Sequence, residues 1–190
     1  MHGTIITTKN LILRHFTTED SQKVFEMSRE NSLRRWIPDQ VYKDISEAVS
    51  VLEFLISRYH DSPSQMKLPC VLGITLKSKG SLIGHTGISP VENGVEIGYA
   101  IEEAEQGKGY ATEAVRMFSR WALREFGFSV IYGIVSSENT ASCRVLEKSG
   151  FVLAEEKMRN AFGRYCLCRI YSVQRSNFFP SGRKNSHQFH

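Results

Sequence analysis

The chain has 190 residues, of which 41% are hydrophobic and 23% are charged, and its formal net charge is +4 at pH 7. This length and composition fit a single globular domain, and the small positive charge is no footprint of a nucleic-acid-binding protein. No apolar run approaches the length of a membrane span, and the first residues lack the regions of a signal peptide. We therefore expect a cytoplasmic protein with no nucleic-acid partner and no membrane association, as either a monomer or a homodimer.

The cysteines do not have the spacing of a metal site. None of them forms a C-x-x-C pair, and a C-x-C pair on a strand points to one face. We expect free thiols and no bound metal. The cysteines are Cys70, Cys143, Cys166 and Cys168. His187 and His190, near the end of the sequence, are interpreted as incidental rather than as metal ligands.

The N-terminal part predicts one strand followed by two helices. Residues 7–16 alternate apolar and polar side chains as a strand does, and Thr17 or Thr18 caps a first helix. A second helix begins near Asp44, where apolar residues recur at helical spacing. Between the helices, Trp36-Ile37-Pro38 is an aromatic break. Ordinary packing is the favoured interpretation of this break, and a wall of a substrate pocket is the alternative.

Three β-rich runs follow at residues 68–76, 81–89 and 94–101, separated by the turn pairs Lys79-Gly80 and Asn93-Gly94. They predict an antiparallel meander. A long helix with one apolar face then runs from Ala111 to Phe126 and ends at Gly127. The remaining predicted elements are a strand at 129–135, a short helix at 139–149 and a hairpin of strands 151–158 and 165–173.

These elements predict an α/β protein of the mixed α+β kind. We expect a single mixed, largely antiparallel sheet of about seven strands with helices on both faces. The expected domain covers residues 1–173. Residues 174–190 are rich in Ser, Asn, Arg and His and are interpreted as a loosely held polar tail.

A glycine-rich loop, Gln106-Gly107-Lys108-Gly109-Tyr110-Ala111, lies between the third strand of the meander and the long helix. The first N–H groups of a helix have no partner within the helix, so they can bind a phosphate. Gly107 and Gly109 allow the main chain to approach an anion closely, and Lys108 adds positive charge. The loop therefore predicts a site for the pyrophosphate of a nucleotide-like cofactor, with coenzyme A as the first candidate.

Two common phosphate-binding motifs are excluded. A Walker A loop requires Lys and then Ser or Thr after its last glycine, whereas Gly109 is followed by Tyr110-Ala111. A Rossmann fingerprint requires a parallel βαβ unit with a third Gly or Ala at the position of Thr112. On the glycines alone, a plain helix cap with no ligand remains an equal alternative.

The neighbouring residues decide between these alternatives. The strand Glu96-Ile97-Gly98-Tyr99-Ala100-Ile101, the run Gln106-x-x-Gly109-x-Ala111, the pair Asn139-x-x-Ser142 and Gly150-Phe151 occur in this order. Together they resemble the GNAT superfamily of N-acetyltransferases, whose Q/R-x-x-G-x-G/A signature the second run matches. The resemblance covers residues 11–173, and segments 11–14 and 139–151 are similar to the RimJ/RimL-like branch, which includes enzymes that acetylate the N-termini of ribosomal proteins.

The resemblance implies acetyl-CoA as the cofactor. Its pantetheine would pair with the backbone of Tyr99 and Ile101 at a splayed central strand pair, and the Ile101 N–H could stabilise the oxyanion. Asn139 would contact the pantetheine and Ser142 the sulfur, although both could merely cap the helix. The residues expected to hold the pyrophosphate are Gln106, Gly107, Lys108, Gly109, Tyr110, Ala111 and Thr112.

Glu96 is the first candidate for the general base that the attacking amine needs. Side-chain alternation places it on one face with Gly98 and Ala100, whose small side chains leave a slot above the acid. A solvated surface charge is the alternative interpretation. The other candidates for the base are Glu155, Glu156, His85 and a water path.

A tyrosine proton donor to the thiolate is excluded, since Leu146 occupies the position at which many members of the superfamily have a tyrosine acid. Ser142 is the replacement candidate. We expect an N-acetyltransferase whose amine attacks acetyl-CoA directly in a ternary complex. The acceptor is a protein N-terminus or a small-molecule amine, such as a polyamine, an amino acid or an antibiotic. The acceptor site is expected to be shaped by residues near Trp36, Tyr42 and Phe162. A non-catalytic acyl-CoA-binding module is the remaining alternative.

Overall fold

The computed structural model describes residues 4–59, 67–92 and 94–179. Within them the strands form one eight-stranded sheet in the order β1-β2-β3-β4-β5-β6-β8-β7. The strands are β1 Thr4–Thr7, β2 Leu11–Arg14, β3 Cys70–Leu76, β4 Ser81–Val91, β5 Gly94–Ile101, β6 Val130–Ser136, β7 Val152–Ala161 and β8 Arg164–Gln174. The helices are α1 Ser21–Ser28, α2 Asn31–Trp36, α3 Ile45–Ile56, α4 Tyr110–Glu125, α5 Thr140–Lys148 and α6 Arg175–Phe178.

The sheet divides into two arms between β5 and β6. All neighbouring strands are antiparallel except these two, which are parallel and share the single register pair Glu96 and Tyr132. Beyond that pair the strands separate, and the sheet opens toward the end of β5. The expected mixed sheet with a splayed central pair is therefore confirmed.

Helices cover both faces of the sheet, as expected. On one face α4 buries its apolar side, including Phe118, against Leu13 of β2 and Ile97 of β5. On the other face Leu52 of α3 packs with Leu82 of β4 in a second, smaller cluster. The helical spacing of the apolar residues of α4 explains why this helix lies flat across the sheet.

The N-terminal part differs from the prediction in two ways. The expected strand 7–16 is two strands, β1 and β2, joined by a turn in which the Thr8 N–H donates to the Leu11 carbonyl (2.9 Å). The described part of the chain therefore has eight strands in the sheet instead of about seven. In addition, α2 forms a short third helix before β3. Thr17 is the N-cap of a 3-10 turn, Thr18–Asp20, that leads directly into α1, whose own N-cap is Asp20. The helix expected near Asp44 is confirmed as α3. The meander β3-β4-β5 is confirmed, with Asn93 of its second turn lying outside the described residues.

The packed domain continues past the expected boundary at residue 173. Strand β8 ends at Gln174, and α6 follows directly and contacts α4. Phe178 packs against the main core, and the Arg120 guanidinium lies 5.6 Å from the centre of the Phe179 ring. The rest of the expected tail, with His187 and His190, lies outside the described residues. None of the described helices has the length and apolar character needed to cross a bilayer.

Candidate active site

A cleft of about 840 Å³ passes through the opening between β5 and β6. Its walls come from α2, β5, the glycine-rich loop, the start of α4, the end of β6, α5 and the β7–β8 turn. Segments that are far apart in the sequence therefore meet around one elongated cavity. The glycine-rich loop forms the wall at one end of the cavity, and α2 and the β7–β8 turn form the wall at the other end.

The loop forms an open cradle of main-chain N–H groups. Gly107 and Gly109 have φ values of 74° and 85°, and a Cβ at either position would have no other heavy atom within 4 Å. The first helical hydrogen bond of α4 runs from the Glu113 N–H to the Gly109 carbonyl (3.0 Å). Among the described residues, the N–H groups of Tyr110 and Ala111 have no backbone acceptor. These free donors and the open space fit a pyrophosphate.

The buried carboxylate of Glu105 anchors the glycine-rich loop by pairing with Lys108. Glu105 is only 3% exposed and accepts hydrogen bonds from Lys79 and from Lys108 (2.9 Å). These hydrogen bonds, that of Lys79 first, lower the pKa of Glu105. The Lys108 ammonium also donates to the Ala104 carbonyl (2.8 Å), and its side chain is not part of the cleft wall. The expected direct role of Lys108 at the phosphates is therefore not supported by the geometry.

The other end of the loop is fixed to β5. The Gln106 side-chain amide donates to the Ile101 carbonyl (2.8 Å). The Glu102 N–H donates to the Ile83 carbonyl (2.8 Å), so by the alternation of an antiparallel ladder the backbone groups of Ile101 and Tyr99 point away from β4. They face the opening toward β6, as a strand-like contact with pantetheine requires.

Glu96 is half-buried in the cleft wall, together with Gly98 and Ala100 of the same strand. A Cβ at Gly98 would have no heavy atom within 4 Å, so the expected slot beside the acid is present. Burial raises the pKa of Glu96, and the nearby positive charge of Arg159 opposes that shift. A carboxylate with a raised pKa is better matched to accepting a proton near neutral pH than a solvated one.

Ser142 also lies in the cleft wall, at the start of α5. The Asn139 side chain accepts a hydrogen bond from the Ser142 N–H (3.1 Å), so Asn139 caps the helix, which was the alternative interpretation, while it also lines the cleft. The Tyr99 hydroxyl lies 2.6 Å from the Ser142 hydroxyl and 3.0 Å from the Ser142 carbonyl, and its one proton can be donated to either oxygen. The sequence predicted a role only for the backbone of Tyr99. Leu146 is fully buried in the core, away from any role as an acid.

Residues 10–152 match the family model for an acetyltransferase (GNAT) domain. The chain belongs to the GNAT acetyltransferase family. Its relatives include the uncharacterized N-acetyltransferase YnaD of Bacillus subtilis, which is 27% identical over 164 residues, 85% of this chain and 87% of the relative. The protein is thus an N-acetyltransferase, and GNAT acetyltransferases use acetyl-CoA.

Solved structures share the GNAT fold at low sequence identity. One, described as RimL, the ribosomal L7/L12 α-N-protein acetyltransferase in complex with coenzyme A, aligns with a TM-score of 0.76 at 17% identity, over 90% of this chain and 98% of that one. Another, a chimera of the spermidine N-acetyltransferase SpeG from Vibrio cholerae and hSSAT, aligns with a TM-score of 0.73 at 19% identity, over 91% and 100%. At these identities the likeness concerns the fold.

The other candidates for the base lie outside the wall of this GNAT cleft. Burial lowers the pKa of His85 to about 4, so it is a weak base. Glu155 pairs with Lys157 (3.1 Å) and Glu156 with Arg169 (2.6 Å), and both glutamates are exposed on β7. Among the candidates from the sequence, Glu96 is the one in the cleft wall.

The far end of the GNAT cleft contains residues that the sequence did not single out. Asp39, Ser89 and Arg159 line it, together with Trp36 at the end of α2 and Phe162 in the β7–β8 turn. The interpretation of Trp36 as ordinary packing is therefore wrong, because the indole forms part of the cavity. No motif marks Asp39 or Arg159, since each belongs to a segment whose position depends on the tertiary fold.

Proposed function

We propose that this enzyme moves an acetyl group from acetyl-CoA to a primary amine by direct attack within a ternary complex. The observation that carries the proposal is the continuous cleft, which joins the amide cradle of the loop to the half-buried Glu96 through the opening between β5 and β6. Such a passage allows two substrates to enter from different sides and meet at the strand. No covalent acyl-enzyme intermediate is needed.

Main-chain groups hold the cofactor in this proposal. The free N–H groups at the start of α4 bind the pyrophosphate, with Gly107 and Gly109 allowing its close approach. The outward-facing backbone groups of Tyr99 and Ile101 align the pantetheine. The Ile101 N–H then faces the thioester carbonyl, where it can stabilise the negative charge that develops on oxygen.

Glu96 takes a proton from the incoming ammonium group or from the attacking amine. Its raised pKa supports this role, because the carboxylate then holds a proton more readily than a solvated glutamate. The open space at Gly98 gives the amine a path along the same face of β5. Attack of the amine nitrogen forms the new C–N bond, and collapse of the tetrahedral intermediate breaks the C–S bond.

Ser142 stabilises the departing sulfur through its hydroxyl. The hydroxyl of Tyr99, 2.6 Å away, donates its proton to Ser142 Oγ and so leaves the Ser142 proton free for the sulfur. This pair replaces the tyrosine acid that Leu146 excludes. A hydrogen-bond donor beside the developing thiolate lowers the barrier without transferring a proton fully.

The first acceptor that we propose is the N-terminal amine of a protein or peptide. Its support is the RimJ/RimL-like pattern of segments 11–14 and 139–151, together with the fold likeness to a protein described as an α-N-protein acetyltransferase. A small-molecule amine is the second candidate, supported by the fold likeness to a spermidine N-acetyltransferase chimera.

The test is initial-rate kinetics with purified protein, acetyl-CoA and a panel of amines and N-terminal peptides. Release of coenzyme A and mass analysis of the acetylated product are measured together. A ternary complex gives intersecting double-reciprocal lines, whereas an acyl-enzyme mechanism gives parallel lines. Tight binding of acetyl-CoA without turnover on any amine would rule out the proposed function.

A further inference from the structure

Arg159 differs from the other arginines that lack a partner. Among the described residues, five arginine side chains form no hydrogen bond, ion pair or ring contact, and four of these are exposed. Arg159 is the exception, since it is partly buried. One of the four exposed arginines, Arg144 on α5, also lines the cleft. The unpartnered arginines are Arg34, Arg116, Arg144, Arg159 and Arg175.

An unpartnered guanidinium that has lost part of its hydration is costly unless an anion completes it. Arg159 lies on β7 just before the turn to β8, where its register partner is Cys166. Its side chain lines the same cleft as Glu96. The two groups make no direct ion pair, but Arg159 is close enough to act electrostatically on Glu96. The guanidinium is therefore free to bind a ligand at the acceptor end.

The charges around this end distinguish between classes of amine. Glu96 and the exposed Asp39 are the acidic groups of the wall near α2 and β5, and Arg159 on β7 acts electrostatically on Glu96. The other charged residues of the wall, Glu105, Arg144 and Lys148, belong to the segment before the glycine-rich loop and to α5. A polyamine that places one ammonium group at Glu96 and a second one near Arg159 is disfavoured by repulsion. Asp39 offsets this repulsion only weakly, because it is exposed and water screens its charge. An amine that also carries an anion can satisfy both Glu96 and Arg159 at once.

We propose that the acceptor is a primary amine with a carboxylate a few bonds from its nitrogen, and that Arg159 binds this carboxylate while Glu96 receives the amine proton. The inference rests on the proposed acetyl transfer and adds the chemical class of the acceptor. Two sources share this chemistry: a free amino acid, through its α-carboxylate, and a peptide that begins with Asp or Glu, through its first side chain.

The experiment compares matched pairs of acceptors that differ only in carboxylate and amide. One arm uses peptides beginning with Asp or Asn, and the other uses a free amino acid and its amide. The arm with the larger preference for the carboxylate identifies the source. We expect kcat/KM of the wild type to be at least about tenfold higher for the carboxylate in that arm, as expected for a hydrogen-bonded ion pair.

The variant Arg159→Gln tests the residue. We expect it to raise KM for the carboxylate acceptor about tenfold to a hundredfold and to affect the amide acceptor much less. Because the comparison is a ratio between variant and wild type for each acceptor, the different basicity of the two amines cancels. Arg159→Glu should reverse the preference toward the amide and toward diamines. The matched control is Arg116→Gln, an exposed arginine on α4 outside the cleft wall.

Each result separates the two proposals. Turnover of amines with no preference for the carboxylate, or an equal loss on both acceptors in Arg159→Gln, would overturn the role of Arg159 and leave acetyl transfer standing. A preference for spermidine over every carboxylate acceptor would do the same. Absence of turnover on all amines, with acetyl-CoA still bound, would overturn the proposed function and this inference with it.

Discussion

The two ends of the cleft present different chemical groups: main-chain N–H groups at the cofactor end and side chains at the acceptor end. At the cofactor end, one continuous segment, residues 106–112, presents main-chain N–H groups, and the nearby Lys108 is engaged elsewhere. At the acceptor end, side chains from separate segments meet, including Trp36, Glu96 and Arg159. A main-chain site requires residues that allow its conformation, so a short motif can identify it. A side-chain site depends on how distant segments pack, and its specificity can change one residue at a time.

The largest expected effect is a loss of acetyl-CoA binding, caused by a substitution in the main-chain cradle at the cofactor end. Gly109→Val places a branched side chain in the cradle and disfavours the backbone at φ 85°. Loss of two or more hydrogen bonds to a charged phosphate, about 1.5–3 kcal/mol each, together with the backbone strain, should weaken acetyl-CoA binding by about ten-thousandfold or more, measured by calorimetry. The matched control is Gly127→Val, just beyond the other end of α4, where φ is 72° and the space is equally open. Equal affinity in the two variants would contradict the placement of the pyrophosphate.

The next effect concerns the chemistry at the acceptor end. Glu96→Gln should lower kcat by about a hundredfold to ten-thousandfold, the usual contribution of a general base, with little change in acetyl-CoA affinity. Glu156→Gln, on the exposed face of β7, is the control and should retain the wild-type rate. A nearly normal rate in Glu96→Gln would indicate that water or another group removes the proton.

The raised pKa of Glu96 makes activity and stability respond to pH in opposite directions. Since burial raises this pKa, the folded protein binds the proton more tightly than the unfolded chain. The rate should fall as the pH drops through the raised pKa, because the base is lost. The free energy of unfolding should fall as the pH rises through it, so Glu96→Gln should be more stable than the wild type at neutral pH. Thermal unfolding of both proteins from acid to neutral pH measures this difference.

A smaller effect is expected for the hydroxyl pair between the two ends. Tyr99→Phe removes one hydrogen bond to Ser142 and should reduce kcat by up to about tenfold, with little change in KM. Ser142→Ala should have the larger effect, and the double variant should resemble Ser142→Ala alone, because Tyr99 acts through that hydroxyl. Additive losses would show that Tyr99 contributes independently.

The smallest effect is expected for Lys108→Ala, which tests whether a side chain contributes to cofactor binding beside the main chain. Lys108→Ala removes an exposed side chain that pairs with Glu105 and not with the cleft. Lys79 still pairs with the buried Glu105 in this variant. The loss should therefore be no larger than that of an exposed ion pair, about 0–1 kcal/mol, and acetyl-CoA affinity should fall less than about fivefold. Lys79→Ala, which removes the other lysine on Glu105, is the companion variant. A loss in Lys108→Ala as large as that in Gly109→Val would show that a side chain, and not the main chain, dominates the site.

The sequence carried most of the fold and the cofactor end. Gly109 was predictable because a left-handed residue at a helix start requires glycine, and Asn139 because it is a preferred N-cap. The division of the first strand was not predictable, since the turn is held by Glu113, which binds Thr8 and Asn10 from a distant helix. Such a contact leaves no local pattern.

The acceptor end was predictable only in part. Glu96 was identified from the alternation of one strand and the glycine beside it. The six-residue α2 is too short to show a helical period, so ordinary packing was favoured for Trp36 over the pocket wall that it forms. Arg159 belongs to no motif, and only the position of β7 brings it to the cleft. The engagement of Lys108 likewise depends on a buried carboxylate shared with Lys79.

All four cysteines are buried, three of them on strands of the two arms of the sheet and Cys143 on α5. Burial raises the pKa of Cys70, on β3, to about 12 and that of Cys168, on β8, to about 11. Since alkylating reagents react with accessible thiolates, each thiol stays silent until its surroundings open. Cys70 belongs to the arm before the opening, and Cys166 and Cys168 belong to the arm after it. The alkylation rate of each buried thiol therefore reports how often its own arm of the sheet opens, without an introduced label.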